Sequence, residues 1–152
     1  MVGTRHPTPY GLGVAERLAC DLTVQGLVII SGMAASTLPV IAGRSQTKAK
    51  RLRHFGTGVD MIYPKENSRL SEQILVRGGG LISEFCRGAF AAPQNFPIRN
   101  RLLSGMSVGV LGVEAAEYSG TRITADCALE RNRDVFAVPG NVTNRNFWAR
   151  IR

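Results

Sequence analysis

The chain has 152 residues, of which 44% are hydrophobic and 20% charged, and it carries a net charge of +8. That balance excludes a disordered tail and fits one globular domain large enough to bury a core. The basic excess favours anionic partners, nucleic acid first, although much surface charge is simply solvated.

In chain order, Val14, Leu18 and Leu22 recur at spacing four, so Tyr10 to Gln25 reads as an amphipathic helix ended by Gly26. Gly26 to Ser31 (GLVIIS) is a buried-strand candidate. Glu66 to Val76 reads as a helix with Leu70, Ile74 and Leu75 inward, followed by a strand at Gly80 to Phe85. A third helix is expected from about Pro97 to Ser104, a strand from Ser107 to Glu114, and a fourth helix from about Gly120 to Arg131. Ile123, Cys127 and Ala128 share one side of that helix, and Asp134 to Val138 is the last strand. Short apolar runs alternating with helices predict an α/β fold with a mostly parallel sheet, its strands covered on both faces.

One stretch resists this pattern. Ala35 to His54 (ASTLPVIAGRSQTKAKRLRH) has no acid and five bases, namely Arg44, Lys48, Lys50, Arg51 and Arg53. Its apolar residues follow neither helical nor strand period, and the βαβ pattern needs both elements here. The end of the run, with charges that are costly to bury, is expected not to make a core strand.

In open parallel sheets, ligands bind beyond the carboxyl ends of the strands, where helix N-termini attract anions. Four segments fall at such places. Gly3-Thr4-Arg5 offers close backbone approach, a hydroxyl and a guanidinium, yet such a triplet is also a common turn. Ser31-Gly32 follows the most apolar strand. Asn95-Phe96-Pro97-Ile98-Arg99-Asn100-Arg101 joins an aromatic, amides and two guanidinium groups, the mixture that single-strand binders use for bases and backbone. In blander terms, Phe96 is a core residue and the arginines a solvated face. Ser119-Gly120-Thr121 enters a helix, where its hydroxyls could serve merely as caps.

Cys20, Cys86 and Cys127 form no CxxC pair and have no matched His spacing, so they are read as buried small hydrophobes, with no metal site. No apolar run approaches the roughly 20 residues needed to cross a bilayer. MVGTRHPTPYG has no apolar leader core, so a cytoplasmic protein without a membrane partner is expected.

VGTRHPTPYG from Val2, GLVIISGMA from Gly26, GTGVDMIYPKEN from Gly56, GGLISEF from Gly79, NFPIRNRLLSGMS from Asn95, VEAAEYSGTRITA from Val113 and VFAVPGN from Val135 stand in the order found in the DNA-processing protein A (DprA/Smf) family, which the chain resembles. The resemblance covers most of the chain outside Ala35 to Phe55. It implies an extended Rossmann-like fold that often dimerises and binds single-stranded DNA in a basic pocket. In natural transformation such proteins protect incoming DNA and help load the RecA recombinase; no cofactor and no reaction are implied. The family's pocket arginine falls on Arg5, its stacking aromatic on Phe96, and its RNR arginines on Arg99 and Arg101. Gln94 replaces the usual Gly before Asn95, which is expected to crowd that turn.

The resemblance also implies a single domain over 1–152, incomplete at both ends. The first strand is missing, so Gly3 to Arg5 lacks its usual anchor. Between Ala34 and Gly56 the family's RGID and HRGAL motifs and a valine-rich strand are absent. A nucleotide string encoding GIDSASHRGALADKGKAVA yields ASTLPVIAGRSQTKAKRLR in the neighbouring frame, so a frameshift within 35–55 is expected. About four units of the positive charge would then be accidental. A one-base deletion likewise explains Trp148-Ala149-Arg150-Ile151-Arg152, and the product is expected to be marginally stable. The alternatives are a nonfunctional damaged gene product and a nucleotide-processing phosphoribohydrolase. The latter's PGGxGTxxE motif would overlap Tyr118 to Thr124, with Thr124 where the catalytic Glu should stand.

Overall fold

A computed structural model describes residues 1–4, 6–32, 51–115 and 120–140. The first helix, α1 (Pro9–Val24), starts where the Thr8 side chain accepts a hydrogen bond from Gly11 N, with Pro9 in the first turn, where its missing N–H costs nothing. It stops at Gly26, whose φ of +83° suits a residue without Cβ. Gly26 N bonds Thr23 O and Leu27 N bonds Leu22 O, which satisfies carbonyls that would otherwise face the helix end unbonded. After a 3₁₀ turn at Lys65–Asn67, α2 (Ser68–Val76) closes in the same way at Gly78, with φ +74°. The remaining helices are α3 (Asn95–Gly105), packed on α4 (Gly120–Leu129).

Strands β1 (Ile29–Gly32), β2 (Arg51–His54) and β3 (Gly80–Ile82) form a parallel sheet in that order. Ser31 stands opposite Arg53 and Gly32 opposite His54, while His54 also faces Ile82. A second parallel pair joins β4 (Gly109–Gly112) to β5 (Asp134–Ala137). The N-terminal residues link the two sheets. Met1 N donates to Ile30 O at 2.7 Å, Val2 N to Leu111 O at 3.0 Å, and Val113 N to Val2 O at 3.1 Å.

The main core lies between α1 and the centre of these strands: Ala15, Ala19, Ile29, Val113 and Val138 are buried, with Val14, Leu18, Leu22 and Leu111 packed around them. The two alanines let the helix approach the sheet closely, and the leucines flank that contact. A second cluster sets Leu70 and Ile74 of α2 against Leu81. Full burial of each large aliphatic side chain contributes about 1.5–3 kcal/mol.

Five expectations are corrected. The basic run does form a strand at its end: β2 is the central strand of three, and Arg51, Arg53 and His54 are only 6%, 1% and 1% exposed. Backbone pairing on both sides holds it there in place of hydrophobic patterning; residues 33–50, the rest of that run, lie outside the described residues. Gly3 has an anchor after all, because Val2 bridges to Gly112 and Thr4 N bonds Glu114 O at 2.7 Å. β5 is open rather than covered, with all four of its residues exposed, Phe136 at 58%. Leu75 and Ile123 face solvent; α4 instead buries Thr121, Thr124 and Ala128, at spacings of three and four. No cysteine is fully buried: Cys86 is exposed in the turn after β3, where its carbonyl receives Ala89 N.

Among the described residues, no helix is long and apolar enough to cross a membrane, and no cluster of His, Cys, Asp or Glu could hold a metal ion.

Candidate nucleic-acid interface

Helix α3 packs on β1, bonds the last carbonyl of β2 through Arg99, and pairs through Arg101 with Glu84, two residues beyond β3. Gln94 precedes that helix at φ −66°, ψ −25°, an ordinary right-handed conformation, so the expected crowding from loss of glycine does not arise. Asn95 opens the helix, with its amide Nδ2 3.5 Å from Phe90 O. The phenyl ring of Phe96 lies over Gly56, where an added Cβ would come within 3.0 Å of it. Tyr63 stands beside the ring, with centroids 5.8 Å apart and planes tilted by 44°. The Arg99 guanidinium lies 5.9 Å from the Phe96 centroid, within cation–π range.

Arg99 is not a solvated arginine. It is 3% exposed and donates from Nη1 to His54 O at 2.6 Å, tying α3 to the end of β2. Its Nε has no hydrogen-bond partner among the described residues, and burial draws its pKa down to about 10. Gly32 makes room for it: a Cβ there would sit 2.3 Å from Nη1. Asn100 is also buried, at 8% exposure. Arg101, two residues on, keeps 47% of its side-chain exposure and pairs with the carboxylate of Glu84.

Arg53 adds to the positive field from within the sheet. Its Nη1 donates to Gly32 O at 3.3 Å, and its pKa falls to about 9, mainly through burial and secondly through repulsion by Arg51. His54 is held below its ordinary value by burial and then by Arg99. Neither of its ring nitrogens has a hydrogen-bond partner among the described residues.

The other expected residues fall elsewhere. Ser31 is not in a loop beyond the strand but inside β1, 3% exposed, while Gly32 ends that strand. Gly3 and Thr4 lie against Glu114 at the start of α1 rather than beside α3. There the Glu114 carboxylate accepts Thr8 N at 2.9 Å and the Thr8 hydroxyl, filling the anion position of the helix N-terminus with a protein group. Gly11 admits it, since a Cβ would sit 2.3 Å from the carboxyl carbon. Gly120 opens α4, and Thr121 is 7% exposed, its hydroxyl without a hydrogen-bond partner among the described residues. Arg5 and Ser119 lie outside the described residues.

Sequence reading missed Tyr63, Glu84 and Glu114. Tyr63 lies in the quoted IYP stretch and Glu84 in GGLISEF, but their partners are distant in the chain and no local spacing reveals them.

Parallel strands flanked by helices, with arginines and aromatic rings at the carboxyl edge of the sheet, define a protein of Rossmann-like α/β fold. A sequence profile for DNA recombination-mediator protein A matches residues 1–149. The chain belongs to that family. It is 41% identical over 147 residues to protein Smf of Escherichia coli K12, covering 95% of this chain and 39% of that protein. It is 37% identical over 146 residues to DNA processing protein DprA of Streptococcus pneumoniae R6, covering 93% and 50%. The X-ray structure of the S. pneumoniae protein superposes with a TM-score of 0.84 at 35% identity, over 95% of this chain and 51% of that one. DNA processing protein A of Helicobacter pylori, whose structure describes a single-stranded DNA binding mode, gives a TM-score of 0.84 at 27% identity, over 94% and 65%. The chain thus spans half or less of the length of these two sequence relatives.

Proposed function

We propose that the carboxyl edge of the β1–β3 sheet binds single-stranded DNA, with Arg101 on phosphate and the Phe96–Tyr63 pair against bases. The observation that carries this reading is the half-exposed Arg101 on the same helix as a ring already flanked by Tyr63 and Arg99. Cation and π-face together suit a strand whose bases are unstacked. Buried Arg99 and Asn100 shape the edge, Asn95 opens its helix and Gly32 gives Arg99 its clearance, and Arg5 and Ser119 are proposed as further contacts; Gly3, Thr4, Ser31, Gly120 and Thr121, buried or held at other elements, fall outside the proposed contact set. The biological role is DNA processing in transformation: protecting incoming DNA and helping to load the RecA recombinase. The protein acts in the cytoplasm as a single domain, with a homodimer as its working form.

Binding is proposed to be non-catalytic. Thr124, where a phosphoribohydrolase would carry its glutamate, is 2% exposed and turns its hydroxyl onto Gly120 O at 3.1 Å. It offers no carboxylate for acid–base chemistry, and incubation with nucleoside monophosphates should release no free base.

Anisotropy titration of a labelled oligo-dT strand tests the site. Arg101→Ala should weaken binding to all sequences alike. Phe96→Ala should weaken oligo-dT binding but leave an abasic strand of the same length nearly unaffected, because stacking contributes about 1–3 kcal/mol per base. Unchanged affinity in both variants would place the DNA elsewhere.

A further inference from the structure

Glu84 sits among cations. It follows β3 by two residues, and Ser83 fixes the turn that presents it: the Ser83 hydroxyl donates to Thr57 O at 2.5 Å and accepts Phe85 N at 3.0 Å. The Glu84 side chain keeps only 23% of its exposure and accepts Arg101 Nη2. Its field, with those of Arg99 and Arg101, reaches His54. Arg99 is already committed to the His54 carbonyl, so Arg101 is the exposed member of this arginine pair, and a carboxylate holds it.

We propose that Glu84 is a displaceable counter-ion that occupies Arg101 until a phosphate replaces it, and so determines which anions the edge accepts. The proposal rests on the single-stranded DNA reading and deepens it. A lone phosphate gains little by exchanging with a carboxylate already in place, whereas a strand with further phosphate and base contacts can drive the exchange. Glu84 therefore lowers affinity for small anions more than for a polyanion. The phosphate that takes Arg101 releases a counter-ion from the DNA, but the displaced Glu84 carboxylate takes up a cation from solution, so the net release falls by up to one ion and Glu84 flattens the dependence of binding on salt.

The experiment compares wild type, Glu84→Gln and Glu84→Gln/Arg101→Ala in oligo-dT titrations across a salt series, with thermal unfolding as the control for folding. Glu84→Gln should bind roughly 1.5- to fivefold more tightly at equal salt, the range of a partly exposed ion pair. Its slope of log K against log salt should be more negative by about 0.7. Adding Arg101→Ala should abolish both gains. Glu84→Ala, which removes the carboxylate without an isosteric amide, should reproduce the tighter binding. If wild type binds and Glu84→Gln binds equally or more weakly, Glu84 is inert or positions Arg101 productively, and the proposal falls alone. If neither binds single-stranded DNA, the functional reading falls with it.

Discussion

Arg53→Val should stabilise the protein. Arg53 is 1% exposed in the central strand, and burial and Arg51 together draw its pKa well below the ordinary guanidinium value, to about 9. The guanidinium is still charged at neutral pH, so a shift of this size opposes folding by roughly 5 kcal/mol. Against that stand its polar contacts, the hydrogen bond to Gly32 O at 3.3 Å among them, together worth about 1.5–3 kcal/mol for a charged donor. The smaller side chain also leaves space, costing on the order of 1 kcal/mol after relaxation. Valine suits a paired, buried strand. The balance is a net gain of about 1–3 kcal/mol, which raises the urea midpoint by roughly 1 M at a slope typical of a small domain. Urea unfolding at pH 7, followed by far-UV circular dichroism, measures it. A midpoint that stays put or drops at unchanged slope would show that the contacts of Arg53 outweigh its desolvation, and the reasoning about β2 would be wrong.

Two more predictions concern the same strand end. The pKa of His54 is lowered in the fold from the ordinary 6.5, so the unfolded chain binds more protons once pH falls to that value. The His54 contribution to stability is therefore complete above pH 6.5 and is lost as pH drops through its folded value. His54→Leu should flatten this part of the stability–pH curve, and an unchanged acid slope would assign the dependence to other groups. Gly32→Ala places a Cβ 2.3 Å from Arg99 Nη1. It should destabilise by about 1–3 kcal/mol, as overpacking does, and weaken oligo-dT binding by shifting α3; a neutral variant would mean that Arg99 moves freely.

The helices and most strands were legible because their signals are local. Thr8-Pro9 and Gly26 bracket α1, Gly78 ends α2, and the apolar runs lie within a few residues of β1, β3, β4 and β5. β2 was not legible, because Arg51-Leu52-Arg53-His54 has a strand's backbone but not its hydrophobic alternation. Register with β1 and β3, a long-range property, places it. The frameshift expectation bears on this same run. The gene's nucleotide sequence should encode GIDSASHRGALADKGKAVA in the neighbouring frame, and any other reading ends the idea.

The site was legible in part. FPIRNR does supply the edge of the sheet, but the residues divide by burial in a way composition cannot foresee: Arg99 turns inward to a carbonyl and Arg101 outward to Glu84. Gly32 serves as clearance for a guanidinium, not as a loop residue, and the start of α1 near Gly3 already holds the Glu114 carboxylate. Each of these depends on a partner far away in the chain.

The central claim is that a cationic, aromatic edge binds single-stranded DNA through phosphate and base together. Titrating the chain with oligo-dT between about 50 and 200 mM salt, beside an abasic strand and a duplex of equal length, tests it most directly. The account predicts affinity that falls linearly in log–log form with salt and is highest for the strand with unstacked bases. Affinity independent of salt, or equal for all three polymers, would contradict it.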